Sequence, residues 1–111
     1  MEKSNESTKG IKFSFNETIN YADQAVVSKQ ILKQQKGNIT LFAFDKDQEL
    51  TEHKTPFDAL VTIIDGKANI IIDGKANILE AGESIIMPAN IAHALKAIGK
   101  FKMVLTMIKN D

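Results

Sequence analysis

Cysteine is absent from the 111 residues. That excludes a disulfide framework and any thiolate nucleophile or ligand. No charge sign dominates, since Lys plus Arg and Asp plus Glu number 14 each. A formal net charge of zero argues against nucleic acid or an anionic membrane as the main partner. No apolar run approaches the roughly 20 residues of a membrane-spanning helix. The start, Met1 to Gly10, is charged and polar and lacks an apolar signal region, so an intracellular, cytoplasmic protein is expected. Without such a signal, the Asn-x-Ser/Thr matches at Asn5, Asn16 and Asn38 read as chance. No Gly-rich phosphate loop and no G-x-S-x-G elbow occurs, and the glycines are scattered at turns.

What is present is an ordinary globular composition, 43% hydrophobic and 25% charged. The length suits one domain, which buries on the order of two-thirds of its unfolded surface. Residues 1–10 are expected to form a disordered tail and residues 11–111 a single domain.

Turn signals and short apolar runs alternate along the chain. Ile11 to Phe15 has strand periodicity, and Glu17 to Gln24 is suited to one helical turn. Ala25 to Gln35 is ambiguous, because Val26 and Leu32 fall out of phase with Val27 and Ile31; β-branched residues and the Lys36-Gly37-Asn38 turn favour a strand. Its lysines Lys29, Lys33 and Lys36 suit a solvated edge. Further strands are expected at 39–44, 58–64 (ended by Asp65-Gly66), 68–72, 84–87, 93–98 (ended by Gly99-Lys100) and 101–108. The words DGKANI at 65–70 and 73–78 read as successive turns of a meander. Asp45-Lys46-Asp47-Gln48 starts like a calcium loop, but Leu50 stands at the glycine position and Pro56 at the final glutamate position, which excludes that site. Turns at roughly 8–12-residue spacing without a long helix indicate an all-β sandwich or barrel.

Two histidines, His53 and His93, stand out. Alternate strand residues face the same side, so His53, Thr55 and Phe57 are expected to share a face with Ala59, Val61 and Ile63, an apolar interior with one imidazole near its mouth. The alternative for His93 is a structural hydrogen-bonding role, and for Phe57, Val61, Ile63, Met87, Met103 and Met107 it is plain core.

Gly82-x5-Pro88-x4-His93 resembles the second motif of the cupin superfamily, G-x5-P-x-G-x2-H-x3-N, with Asn90 and Ala97 at the remaining positions. Asn, like Gly, tolerates positive φ. The first motif, G-x5-H-x-H-x3,4-E-x6-G, is similar in its last glycine, Gly66, which puts His53 on the first histidine position, Thr55 on the second and Ala59 on the glutamate. A rival register sets Thr51, His53 and Asp58 on the ligand positions but misplaces Gly66 by one residue.

The resemblance covers about residues 39–108 and looks most like the small single-domain bacterial cupins. It implies an antiparallel jelly-roll β-barrel. In an intact cupin, three histidines and a glutamate hold a divalent metal. Here His53 and His93 supply half of that set, so a metal (iron, manganese, zinc or nickel) would be weakly held. Asp58, Glu52 and Glu49 are candidates for the missing carboxylate, although strand alternation turns Asp58 away unless a bulge intervenes. The expected function is binding of a small molecule, a divalent metal or both in the barrel mouth through His53, Thr55, Phe57 and His93; the alternative is a metal-dependent dioxygenase or isomerase. The last strand, apolar on both faces with Val104 and Ile108 on the second, leads us to expect a homodimer, unless the N-terminal segment covers that face within one chain.

Overall fold

The structure, a computed structural model, describes residues 8–110. The tail expected over residues 1–10 falls largely outside them. Among the described residues, seven strands form one antiparallel sheet: β1 (Val26–Gln34), β2 (Gly37–Phe44), β3 (Glu49–His53), β4 (Asp58–Ile72), β5 (Lys75–Glu80), β6 (Ser84–Met87) and β7 (His93–Ile108). No helix among the described residues is long and apolar enough to cross a membrane.

Two long strands, β4 and β7, run antiparallel along nearly their whole length and carry the others. The second half of β7 pairs with β2, and its first half with β3. The first half of β4 pairs with β6, and its second half with β5. The sheet therefore folds over into two layers, β1-β2-β7-β4-β6 and β3-β7-β4-β5. It does not close on itself, and its topology is that of a jelly roll.

The fold-over occurs where Asp65-Gly66 and Gly99-Lys100 were expected to end strands. Neither does. β4 passes through with register shifts at Ile63/Asp65 and Gly66/Ala68, and Gly66 lies opposite Phe101. Extra residues in one strand bend it without breaking the ladder. They also change its phase: the buried residues of β4 are Ala59, Val61 and Ile63 before the bend, and Ala68 and Ile70 after it. Gly66 sits at φ +79°, and a Cβ there would overlap the Lys100 carbonyl oxygen, so only glycine fits. Of the two DGKANI copies, only the second is a turn. Asp73 and Gly74 both have positive φ, which suits a tight hairpin between β4 and β5.

The core lies between the layers. Phe44 stacks on Phe101 with ring centroids 4.4 Å apart, among Val61, Ile63, Ile70 and Leu95. A second cluster lies on the outer face, where Ile19 and Ile31 cover Leu41, Ala43 and Val104. The ambiguous segment at 25–35 is the strand β1. A bulge between Gln30 and Leu32 accounts for its broken periodicity, and its two faces feed different clusters: Val26 the inner one, Val27 and Ile31 the outer one. The strand expected at Ile11 to Phe15 is absent. Residues 11–14 pair with no strand among the described residues, Ile11 and Phe13 are exposed, and Phe15 already belongs to a helical turn. The helical turn comes earlier than expected, at α1 (Phe15–Thr18), capped by Ser14, whose side chain accepts from the Glu17 amide.

Candidate functional site

His53 ends β3 and His93 begins β7, and the two are direct partners in the β3–β7 ladder. Cross-strand partners project to the same face. Their rings meet edge to face at 4.4 Å between centroids, with the two Nε2 atoms 3.1 Å apart. Each Nδ1 is held by the carbonyl oxygen two residues back in its own chain, Thr51 O for His53 at 2.8 Å and Ile91 O for His93 at 3.2 Å. His93 is buried, 2% exposed, whereas His53 is exposed at the rim. Burial pushes the His93 imidazole below its ordinary pKa, and a positive charge on nearby His53 would push it further, against a smaller opposite pull from the Ile91 carbonyl.

The pair faces a cavity of about 300 Å³ between the layers. Phe42, Leu50, Ala59, Met87, Leu95, Met103, Leu105 and Met107 line its apolar walls, and Thr55 joins the histidines as a polar residue. A broader depression at Gly66, Glu80 and Lys100 lies on the outside of the bend and is open to solvent.

The single strand expected to carry 53, 55, 57 and 59 on one face is interrupted. Residues 54–57 form a loop between β3 and β4, so His53 and Ala59 reach the cavity from different strands. The loop is tied down by the Asn90 amide, which donates to Thr55 O at 2.7 Å, and Thr55 Oγ1 accepts from the Phe57 amide at 3.2 Å. This brings Thr55 to the cavity. Phe57, read as a ligand contact from strand alternation, is not on the cavity wall, because the loop breaks the alternation that would have turned it inward. Phe42 and Leu50 occupy the wall instead. Phe42 carries no signal in the sequence because residues 41–44 are all apolar: Leu41 and Ala43 serve the outer cluster while Phe42 and Phe44 face inward, and such a run hides its phase. The three methionines serve both readings, core and wall.

Asp58 does not turn toward the histidines. Its Oδ1 accepts from the Ala89 amide at 2.8 Å, which fastens the start of β4 to the turn after Pro88. Glu49 lies 3.9 Å from Lys96 in an exposed pair, and Glu52 is also exposed. Asp45 is engaged too, its carboxylate accepting the Gln24 and Lys46 amides at 2.6 and 2.9 Å.

The cupin domain family matches residues 40–109. The chain belongs to the cupin family. A conserved protein of unknown function from Streptococcus pyogenes is 33% identical over 100% of this chain and 97% of its own, with a TM-score of 0.90. A cupin 2 conserved barrel domain protein from Leptotrichia buccalis is 39% identical over 87% of this chain, with a TM-score of 0.85; the match spans 47% of that protein's length. A cupin superfamily protein from Desulfitobacterium hafniense shares the fold at 23% identity and a TM-score of 0.87, covering 99% of this chain and 100% of its own. No curated protein matches significantly.

Measured against the cupin motifs, two of the glycine positions have positive φ. Gly82 has φ +94°, and Asn90, in the place of the motif's middle glycine, has φ +65°. The ligand set is not kept. Among the described residues no three His, Cys, Asp or Glu groups gather as a metal site. Two Nε2 atoms 3.1 Å apart suit neighbouring positions on one ion, since bonds of about 2.1 Å would meet there at roughly 95°. The second histidine position is Thr55 and the glutamate position is the fully apolar Ala59, so these residues do not make the three-ligand centre that a resident catalytic metal takes.

Proposed function

We propose that this cupin binds a small, mostly apolar molecule between its layers, with His53 and His93 as polar anchors. The observation that carries this reading is the combination of an apolar cavity of about 300 Å³ with polar side chains confined to the two histidines and Thr55. Ligand sites in proteins have that composition, an apolar wall with a few polar groups that fix orientation. A filled structural core would leave no such volume, since native interiors have few voids larger than water.

A metal-dependent dioxygenase or isomerase is the second reading. The spacing of the two Nε2 atoms favours it, and the ligand count weighs against it. An ion held by two imidazoles would be weakly bound and easily stripped by chelators. Mass and elemental analysis of protein purified without an affinity tag separates the two. Retained organic mass with no stoichiometric metal is the expected result. One iron, manganese, zinc or nickel per chain would favour the metalloenzyme.

The chain also carries surface suited to a second copy of itself. Leu60 and Ile86 are cross-strand partners on the outer face of β4 and β6, exposed at 38% and 61%, and Ile108 adds 63% nearby on β7. We infer a homodimer through this face rather than through Val104, which Ile19 and Ile31 cover within one chain.

A further inference from the structure

The hydrogen bonds of the histidine pair determine what the cavity asks of its ligand. A carbonyl oxygen can only accept, so the bonds to Thr51 O and Ile91 O require a proton on both Nδ1 atoms. A neutral imidazole carries one ring proton. Both Nε2 atoms are then bare acceptors, and they face each other at 3.1 Å. Two lone pairs at that separation repel, so the contact is relieved only when a proton donor or a cation sits beside them, and the short ligand count weighs against a resident cation. An extra proton on the pair would relieve it, yet among the described residues no Asp or Glu lines the cavity to balance the charge, and His93 is buried among apolar walls. Thr55, the other polar residue on the wall, already accepts from the Phe57 amide, which leaves its hydroxyl proton to offer.

We infer that the cavity selects a neutral, hydroxyl-bearing apolar molecule, a phenol or an alcohol, whose O–H donates to one bare Nε2 of the His53–His93 pair. The inference rests on the binding function proposed above and names its ligand class. The walls set the size. A cavity of about 150 Å³ holds benzene, so about 300 Å³ holds roughly twelve non-hydrogen atoms. Carboxylates are disfavoured, because their oxygens would add acceptors to a site already made of acceptors and no Lys among the described residues lines it. An apolar molecule of the same shape without a hydroxyl would fill the walls and leave the acceptor pair unsatisfied.

The test uses two isosteric probes and a carboxylate analogue on the chelator-treated 111-residue chain at about pH 8, above the ordinary imidazole pKa near 6.5: para-isopropylphenol, para-isopropyltoluene and para-isopropylbenzoate. Calorimetry or NMR titration should show the phenol binding about ten-fold more tightly than the toluene, with the benzoate weakest. In His53→Phe the preference for the phenol over the toluene should shrink without vanishing, because the His93 Nε2 still accepts. His53 is at the exposed rim, so this variant is expected to fold. Nitrogen NMR of the ligand-free protein should find the ring protons on both Nδ1 atoms. Equal binding of phenol and toluene, tightest binding of the benzoate, or a protonated Nε2 in the empty protein would overturn the ligand class and leave the binding function standing. Failure of all three probes to enter the cavity would overturn both.

Discussion

His93 couples the site to stability. Its pKa is depressed by burial and by His53, so the unfolded chain takes up a proton at this residue more readily than the folded one. The contribution is therefore fully present above the ordinary value of 6.5 and is lost as pH falls from there through the folded value. Denaturation midpoints measured across this range should fall with pH in the wild type and fall less steeply in His93→Gln; parallel profiles would contradict the assignment. Gly66 makes the sharper residue-scale case. Gly66→Ala forces a positive φ on a Cβ that overlaps the Lys100 carbonyl, and should cost at least about 2 kcal/mol by chemical denaturation. At this scale the sequence was informative where a residue has a backbone reason to be where it is. Gly66, Gly82 and Asn90 were legible because positive φ suits few residue types. Phe57 was misplaced because its position depended on an alternation that the 54–57 loop breaks.

At the scale of elements, the two long strands were legible only as fragments. Asp65-Gly66 and Gly99-Lys100 look like turns, and in the fold they are the two sides of one bend, opposite each other across the ladder. A bulge and a turn share the same residue chemistry, and only the partner strand distinguishes them. The N-terminal segment was misjudged for a related reason: Ile11 to Phe15 alternates but pairs with no strand among the described residues. The following residues are held by Ile19 in the outer cluster and by polar contacts. Tyr21 donates to Asp65 Oδ2 at 2.6 Å, the buried Lys102 donates to Asn16 O at 2.7 Å, and Lys100 and Lys102 both lie over the Tyr21 ring. Burial and the Asp65 carboxylate together push the Tyr21 hydroxyl well above its ordinary pKa. Tyr21→Phe should therefore destabilise the domain by about 1 kcal/mol in thermal or chemical melts. It should leave probe affinity unchanged, because this contact is outside the bend and the cavity is inside. A change in affinity would mean that the latch shapes the site.

The whole molecule is a folded-over sheet whose apolar interior is larger than its side chains fill, and whose outer face is covered over only part of its width. The architecture could be read in advance from the spacing of turns together with the motif around Gly82, Pro88 and His93. The meeting of His53 with His93 could be expected only through the family's motif, since nothing local pairs two residues forty positions apart. The uncovered strip at Leu60, Ile86 and Ile108 predicts a dimer at micromolar concentration, which Ile86→Lys should dissociate. Sedimentation of the wild type as a 12.3 kDa species would rule the pairing out. The central claim concerns the interior, and methionine-methyl NMR tests it most directly. Met87, Met103 and Met107 line the cavity. Titration with para-isopropylphenol should shift all three of their methyl signals in His53→Phe as well as in the wild type, with weaker affinity in the variant. Unmoved signals in the wild type, or movement only when a divalent metal is added, would contradict a ligand-binding cavity anchored by the histidine pair.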